Sequence, residues 1–386
     1  MKAIRSSILS AVLVGVASAS GAGEIDVMTQ NQYIGADLGL GAQTSDPDTA
    51  VVSMLSNIAA QRPAERVRAL AAVIKQRNPD VVGLQEAFKF GCMPFPGVPT
   101  MPGMGCDDPT IRDAFTDHLQ STEDALRGKY VVAGKVTNLK IDAIPFLVNG
   151  YPAVLSIADR DAILVRAGLT AQSVDFTTTP GFCSIPSDQG CNYQNPPVLP
   201  LPLPIGDIAL KRGFLAVDVT VKGSQYRVFN THLEQRLLAP DQPGTRLIQV
   251  GQASELLAVA LGTADGSRTV IVVGDINSDP RDRILAPPPS PYPTPYEIFT
   301  SAGFTDTWTL RPRADSGESC CQEADLANRR SELYERIDMI FSLPRPSRVL
   351  NMKLLGNTIG DKTSPPGNGG LWPSDHAALA AKLKFN

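Results

Sequence analysis

The apolar positions of this chain follow two periods, and they alternate along its length. EIDVMTQNQYIG, residues 24–35, alternates apolar and polar positions as a half-buried strand does. The stretch at 61–77 instead places Val67, Leu70, Ala71 and Ile74 on one helical face, and Asn78-Pro79 predicts its end. DVVGLQE follows as a buried strand, and residues 111–127 read as a second amphipathic helix. IPFLVNGYPAVLSI holds Asn149-Gly150 between apolar runs, which predicts a hairpin. DAILVRA reads as a strand, GFLAVDVTV and QYRVFNTHL as a strand pair, and a helix at about 245–262 leads into TVIVVGD.

Loops at 91–110, 178–206, 283–296, 311–330 and 356–374 separate these elements, and none has the length or composition of an interdomain linker. The order predicts an α/β fold: a mixed, largely antiparallel core with helices on its outer faces, in one domain spanning residues 23–386. Before it, Lys2 and Arg5 precede the apolar run ILSAVLVGVA and small residues through Ala22, the pattern of a secretory signal peptide at 1–22. The run is too short to span a bilayer, and no later segment has 18 consecutive apolar residues. The expectation is an exported protein, secreted or periplasmic.

Charge narrows the partners. The chain of 386 residues has a formal charge of −4, and without its first 22 residues 33 basic residues face 39 acidic ones. That balance does not suit gripping nucleic acid mainly through its phosphates, although a local basic patch or a bound cation would serve a nuclease. Six cysteines in an exported chain point to disulfides. Cys92 with Cys106 and Cys183 with Cys191 bracket short loops, which leaves Cys320 and Cys321 either joined to each other or with other partners.

The chemistry lies where apolar runs end. Asn31 ends the first strand and Glu86 ends VVGLQE. A hard cation such as magnesium takes one or two protein carboxylates plus oxygens from water and substrate. Glu86 suits that role, with Asn31 either a second ligand or the group that orients it. VIVVGDINSD delivers Asp275 and Asn277 to one loop, where the acid can orient water and the amide can reach a phosphate oxygen. His232 ends FNTH and His376 follows Asp375, whereas His118 reads as a solvated helix position. One imidazole can activate water while another stabilises phosphoryl charge or protonates the leaving oxygen. Asp338, in YERIDMIF, or Asp375 would fix the His376 tautomer. Arg212, before the strand that leads to His232, is a candidate phosphate contact.

In order and type these motifs resemble the endonuclease/exonuclease/phosphatase superfamily, which includes pancreatic-type deoxyribonucleases, abasic-site endonucleases, bacterial neutral sphingomyelinases and inositol polyphosphate 5-phosphatases. The resemblance runs from Asn31 to His376; NTHLE, GDINSD and SDH carry its specificity, and GDIN stands where GDFN is usual. It implies a four-layered sandwich of two packed, mostly antiparallel mixed β-sheets flanked by helices. It further implies Mg2+, or another divalent cation such as Mn2+, on Asn31 and Glu86. His232 would act on the phosphoryl group, Asp275 and Asn277 on water and substrate, and His376 as general base with Asp338 or Asp375. Asp159 or Asp161 would partner His232. The expected activity is hydrolysis of a phosphodiester, either nucleic acid or a phospholipid or phosphorylated small molecule, by a monomer with no stable protein partner. A phosphomonoesterase and a secreted binding protein that keeps the fold without catalysis are the alternatives. The hairpin IPFLVNGYPAVL either packs in the core or presents apolar residues to lipid.

Overall fold

Strands buried on both faces form the centre of the molecule. A computed structural model describes residues 23–36, 46–194, 196, 198–199, 208–235, 244–282, 292–312, 315–363 and 369–386; the expected signal segment 1–22 and residues 283–291 lie outside them. The first sheet contains β1 (Gly23–Asn31), β2 (Val81–Gln85), β3 (Lys89–Pro94), β4 (Tyr130–Val148), β5 (Tyr151–Arg166), β16 (Arg348–Leu355) and β17 (Ala378–Phe385). Its order is β16-β17-β1-β2-β5-β3, with β4 also paired along β5. The second contains β6 (Thr170–Ser173), β7 (Ile185–Ser187), β8 (Gly190–Asn192), β11 (Gly213–Val221), β12 (Ser224–His232), β13 (Thr269–Asp275), β14 (Thr305–Asp306) and β15 (Asp338–Leu343). It is ordered β14-β15-β13-β12-β11-β8-β7, with β6 on β11; β9 (Val198–Leu199) and β10 (Ile208–Ala209) form a separate ribbon.

Ile25, Val27, Val81 and Leu383 of the first sheet pack against Leu215, Val228, Ile271 and Ile340 of the second. The outer face of the first sheet is covered by α2 (Pro63–Arg77) and α3 (His118–Leu126), whose Ala71, Ile74, Leu119 and Leu126 meet Val82, Leu84 and Leu164. The outer face of the second receives α4 (Gly244–Gly262) and α5 (Pro295–Ser301), through Ala253, Leu256 and Phe299 against Phe229, Val272 and Phe341. The result is the expected α/β sandwich of two mixed sheets between helices. No helix among the described residues is long and apolar enough to cross a membrane.

Two parallel pairs set the position of the polar motifs. β1 runs parallel to β2 and β12 runs parallel to β13, while every other pairing is antiparallel. Parallel neighbours finish at the same edge, so Asn31 pairs in register with Gln85, and His232 with Asp275. The antiparallel strands begin where these end: β15 opens on Asp338, opposite Asp275, and β17 starts two residues after His376.

Small residues allow the sheets to approach at that edge. A Cβ on Gly83 would lie 2.5 Å from Asn230 Oδ1, and Asn230 uses the space to donate to Leu84 O at 2.9 Å and Ala162 O at 3.0 Å. Gly274 has φ +149°, and a Cβ there would meet Thr231 O at 2.1 Å. Gly274→Ala should therefore push β13 off β12 and cost about 1–3 kcal/mol through overpacking. A lowered urea midpoint at unchanged slope would show it, and an unchanged midpoint would refute it.

Two local expectations change and a third holds. A helix not among the expected elements, α1 (Pro47–Ala60), precedes α2; Val51, Leu55 and Ile58 sit at helical spacing, and the Asp46 side chain caps Thr49 N at 3.2 Å. The helix expected over 111–127 narrows to α3 because Asp117, paired with Lys89 across a β-bridge, is its cap and accepts from Gln120 N at 3.1 Å. The Asn149-Gly150 hairpin forms, with φ +51° and +77° at its two turn residues. Ile144, Phe146, Val148, Ala153 and Leu155 point into the core, so this hairpin is mainly a packing element.

Candidate active site

Asn31, Glu86, His232, Asp275, Asn277, Asp338, Asp375 and His376 come together at the strand ends. Glu86 leaves β2 with φ +53°, a left-handed turn that brings its carboxylate back over the edge. Its Oε1 accepts from Asn31 Nδ2 at 3.1 Å and its Oε2 from Ile34 N at 2.8 Å. Asn31 Oδ1 accepts from Tyr33 N at 2.9 Å, which fixes the amide orientation and leaves Nδ2 to link Glu86 with Asp275 Oδ2, also at 3.1 Å. Asn31 thus orients two carboxylates from opposite sheets.

Asp275 is the centre of the group. Its Oδ2 lies 3.5 Å from His232 Nε2 and 3.7 Å from His376 Nε2, while its Oδ1 accepts from Asn277 N at 2.9 Å. Burial pushes this carboxyl up to about 7, opposed by the His376 charge and assisted by Asp338. Burial likewise raises Asp375 to about 6 against the pull of His376.

His376 has one direct partner. Its Nδ1 is 2.7 Å from Asp338 Oδ2, while Asp375 Oδ1 is 3.9 Å from Nε2; of the two expected partners, Asp338 makes the short bond. Burial works against the ring's charge, but Asp338, Asp375 and Asp275 together hold the imidazolium well above the ordinary histidine value. Asp338 occupies Nδ1, so Nε2 is the nitrogen that faces Asp275 and Asp375.

His232 has surroundings of the opposite sign. Neither Asp159 nor Asp161 partners it, contrary to expectation, because Arg212 fills that space. Arg212 Nη1 lies 3.0 Å from His232 Nδ1 and 3.9 Å from Asp159 Oδ2, and its Nη2 lies 3.7 Å from Glu234; Asp161 accepts instead from Asn138 Nδ2 at 2.8 Å. Burial first, then Arg212 and His376, depress the His232 ring well below the ordinary value. Asn277 Nδ2 is also engaged, donating to Leu233 O at 2.9 Å and lying 3.2 Å from His232 Nε2. Arg212 and Asn277, expected to reach a phosphate, here hold His232 in place.

Two residues have different surroundings from those expected. His118 is completely buried at the start of α3 rather than solvated, since α3 packs that turn against the first sheet. The sequence gives no sign of Arg66 as a buried group, because a charge on an amphipathic helix reads as solvated. It is 1% exposed and donates to Gln61 O at 3.1 Å, Gln32 O at 3.1 Å, Pro373 O at 3.2 Å and Tyr33 O at 3.2 Å. The carbonyls of Gln32, Tyr33 and Pro373 flank Asn31 and the Ser374–His376 turn, and Ser374 Oγ in turn donates to Asn31 O at 2.7 Å.

The donor set fits a hard divalent cation. Asp275, Asp338 and His376 offer ligand atoms within 4.8 Å of one another, and Asn31 links Asp275 to Glu86. All but the imidazole are oxygen donors, and burial raises the carboxyls of Asp275 and, beside it, Asp375.

A model of the endonuclease/exonuclease/phosphatase family matches residues 52–376. An endonuclease/exonuclease/phosphatase family protein from Bacteroides thetaiotaomicron is 17% identical with a TM-score of 0.52, the alignment covering 95% of this chain and 99% of that one. A mannosyl-6-phosphatase from Bacteroides thetaiotaomicron VPI-5482 is also 17% identical, with a TM-score of 0.53 and coverage of 94% and 100%. A family protein from Leptotrichia buccalis C-1013-b is 13% identical, with a TM-score of 0.50 and coverage of 94% and 100%. At these identities the likeness is one of fold. None of the curated proteins matches the chain in sequence.

Proposed function

The chain belongs to the endonuclease/exonuclease/phosphatase family and is a hydrolase of phosphate esters; from that premise we propose that it is an exported phosphodiesterase that uses magnesium and directs water onto phosphorus. The observation that carries the reading is the continuous contact from Glu86 through Asn31 and Asp275 to the Asp338–His376 pair. It joins a metal-type carboxylate to a hydrogen-bonded acid–base pair within one edge of the sandwich. Three cysteine pairs, Cys92–Cys106, Cys183–Cys191 and Cys320–Cys321, support the exported part of the reading.

Each side chain has a role in that chemistry. Glu86 and Asp275 would hold the cation, with Asn31 keeping their carboxylates at a fixed separation. The cation, when bound, supplies Lewis-acid neutralisation of phosphoryl charge. Asp338 holds His376 Nδ1 and, with the charge of Asp275 offset by a bound cation, His376 Nε2 would be free to take the proton of the attacking water. Asp275 and Asp375, facing that nitrogen, orient the water and stabilise the imidazolium that forms. His232, kept neutral between Arg212 and Asn277, gives the phosphoryl oxygens a polar wall without adding a mobile charge.

A substrate panel of an aryl phosphodiester, an aryl phosphomonoester, plasmid DNA, RNA and sphingomyelin, with magnesium and with chelator, tests this reading. Chelator-sensitive release from diesters is expected. Faster release from the monoester would replace the diester reading, and no turnover with any divalent cation would end the enzymatic one.

The raised Asp275 carboxyl predicts how cation binding depends on pH. A cation held by Asp275 needs that carboxyl deprotonated, and burial holds its value at about 7. Affinity for magnesium should therefore weaken as pH falls from 8 through 6, with protons released on binding. Calorimetric titrations in buffers of different ionisation enthalpy would measure both, and a pH-independent affinity would contradict the assignment.

The sign for stability follows from the same shifts. In the metal-free protein Asp275 and His376 bind protons more tightly when folded than when unfolded. The contribution of Asp275 to stability therefore falls as pH rises from its ordinary value of 3.8 to about 7, and that of His376 falls as pH rises above 6.5. His232 has the opposite shift and acts below its ordinary value of 6.5.

A further inference from the structure

Cys320 and Cys321 take no part in the chemistry above, yet they adjoin the acid–base pair. They are joined to each other, Cys320 at 1% exposure and Cys321 half-buried. The segment that carries them lies between the two stretches leading to His376 and Asp338. On one side Ala377 N donates to Ser319 O at 2.7 Å, Gln322 N donates to Asp375 O at 2.9 Å, and Cys320 bridges His376 in antiparallel sense. On the other, Ser319 N and Cys320 N donate to Glu335 O at 2.7 and 2.9 Å, while Tyr334 N and Glu335 N donate to Cys320 O at 2.6 and 2.7 Å. Ser319 Oγ accepts from Ile337 N at 3.3 Å and Asp338 N at 3.2 Å. The cysteine segment is therefore the backbone strut that sets how far His376 stands from Asp338. Both sulfurs and a ring nitrogen of His376 fall within 4.8 Å of one another.

We propose that the Cys320–Cys321 disulfide is a positioning element for His376, and that its reduction lowers turnover while leaving substrate binding in place. The proposal rests on the role given above to His376. Two thiols cannot approach as closely as two bonded sulfurs, so cleavage forces them apart by on the order of 1 Å beside the imidazole. A misplacement of that size at a reacting group lowers rate by about 10- to 100-fold.

The step balances with a dithiol reductant. One reductant thiolate attacks the more exposed Cys321 Sγ, forming a mixed disulfide and releasing Cys320 as a thiol after protonation. The second reductant thiol displaces Cys321 and closes the reductant's own disulfide. The protein gains two electrons and two protons, and the reductant loses them.

The full-length oxidised protein is titrated with dithiothreitol, the redox state of each cysteine pair is read by differential alkylation and mass spectrometry, and hydrolysis of an aryl phosphodiester is followed. The expected result is a kcat about 10- to 100-fold lower, tracking the Cys320 and Cys321 thiols, with KM within about twofold and recovery on reoxidation. Ring NMR signals distinguish positioning from general loosening, since the chain has only three histidines. Those of His376 should shift on reduction, while those of His118 stay in place.

Reduced Cys320 and Cys321 with unchanged kcat and ring signals would overturn the proposal, as would activity that tracks Cys92–Cys106 or Cys183–Cys191. The double variant Cys320→Ala/Cys321→Ala should be slow and indifferent to reductant, and full turnover in it would count against the proposal. Should that variant not fold, the wild-type titration carries the test. If the oxidised protein hydrolyses nothing, the enzymatic reading fails, but the His376 signal still answers whether the disulfide positions the ring.

Discussion

Glu86→Gln is expected to lower magnesium-dependent hydrolysis about 10²- to 10³-fold, the effect of losing several kcal/mol of metal-assisted charge stabilisation. Gln keeps the shape of the side chain and an oxygen to accept from Ile34 N, so the left-handed turn at Glu86 should survive. What it loses is the charge that, across Asn31, complements Asp275. The variant should therefore melt near wild type without metal but lack the rise in melting temperature expected of the parent with magnesium. Activity within tenfold of wild type at saturating magnesium would show that Glu86 is not a metal ligand.

His376→Ala should cost about 10²- to 10⁴-fold in kcat, the range for removing a positioned acid–base group. Its 2.7 Å bond to Asp338 makes the pair one unit. Asp338→Asn alone should also slow the reaction, because the ring keeps a neighbour but loses the charge that orients and holds its proton. The double variant should then be little worse than His376→Ala, since residues acting together are far from additive. Additive losses would separate the two residues and return Asp375 as the partner of His376.

The edge where these residues meet was legible because the motifs end apolar runs. A buried strand has no polar outlet along its length, so its first polar residues lie where it leaves the core. That reasoning singled out Asn31, Glu86, His232, Asp275 and Asn277, and the parallel pairings put them at one edge. Periodicity likewise supported α2, α4 and the Asn149-Gly150 hairpin. It failed for His118 and Arg66, because a polar residue on a helix reads as solvated unless a second layer covers it.

Partners were another matter. Asp338 and Asp375 were equal candidates for His376, and only the antiparallel register of β15 with β13 brings Asp338 to 2.7 Å. His232 was expected to face a carboxylate, yet the start of β11 places Arg212 against it. Asn31 was assigned either to the metal or to Glu86, and the Tyr33 N–H acceptor requirement turns its amide toward two acids. The cysteines show the same division. Two adjacent cysteines are visible in the chain, but their place between Glu335 and His376 depends on loops crossing at the sheet edge. By itself the sequence determined which residues reach the edge of the sandwich, because burial and strand period are local properties. Which of them touch was decided by the tertiary structure alone, because hydrogen bonds and ion pairs act over about 3–4 Å between segments up to hundreds of residues apart.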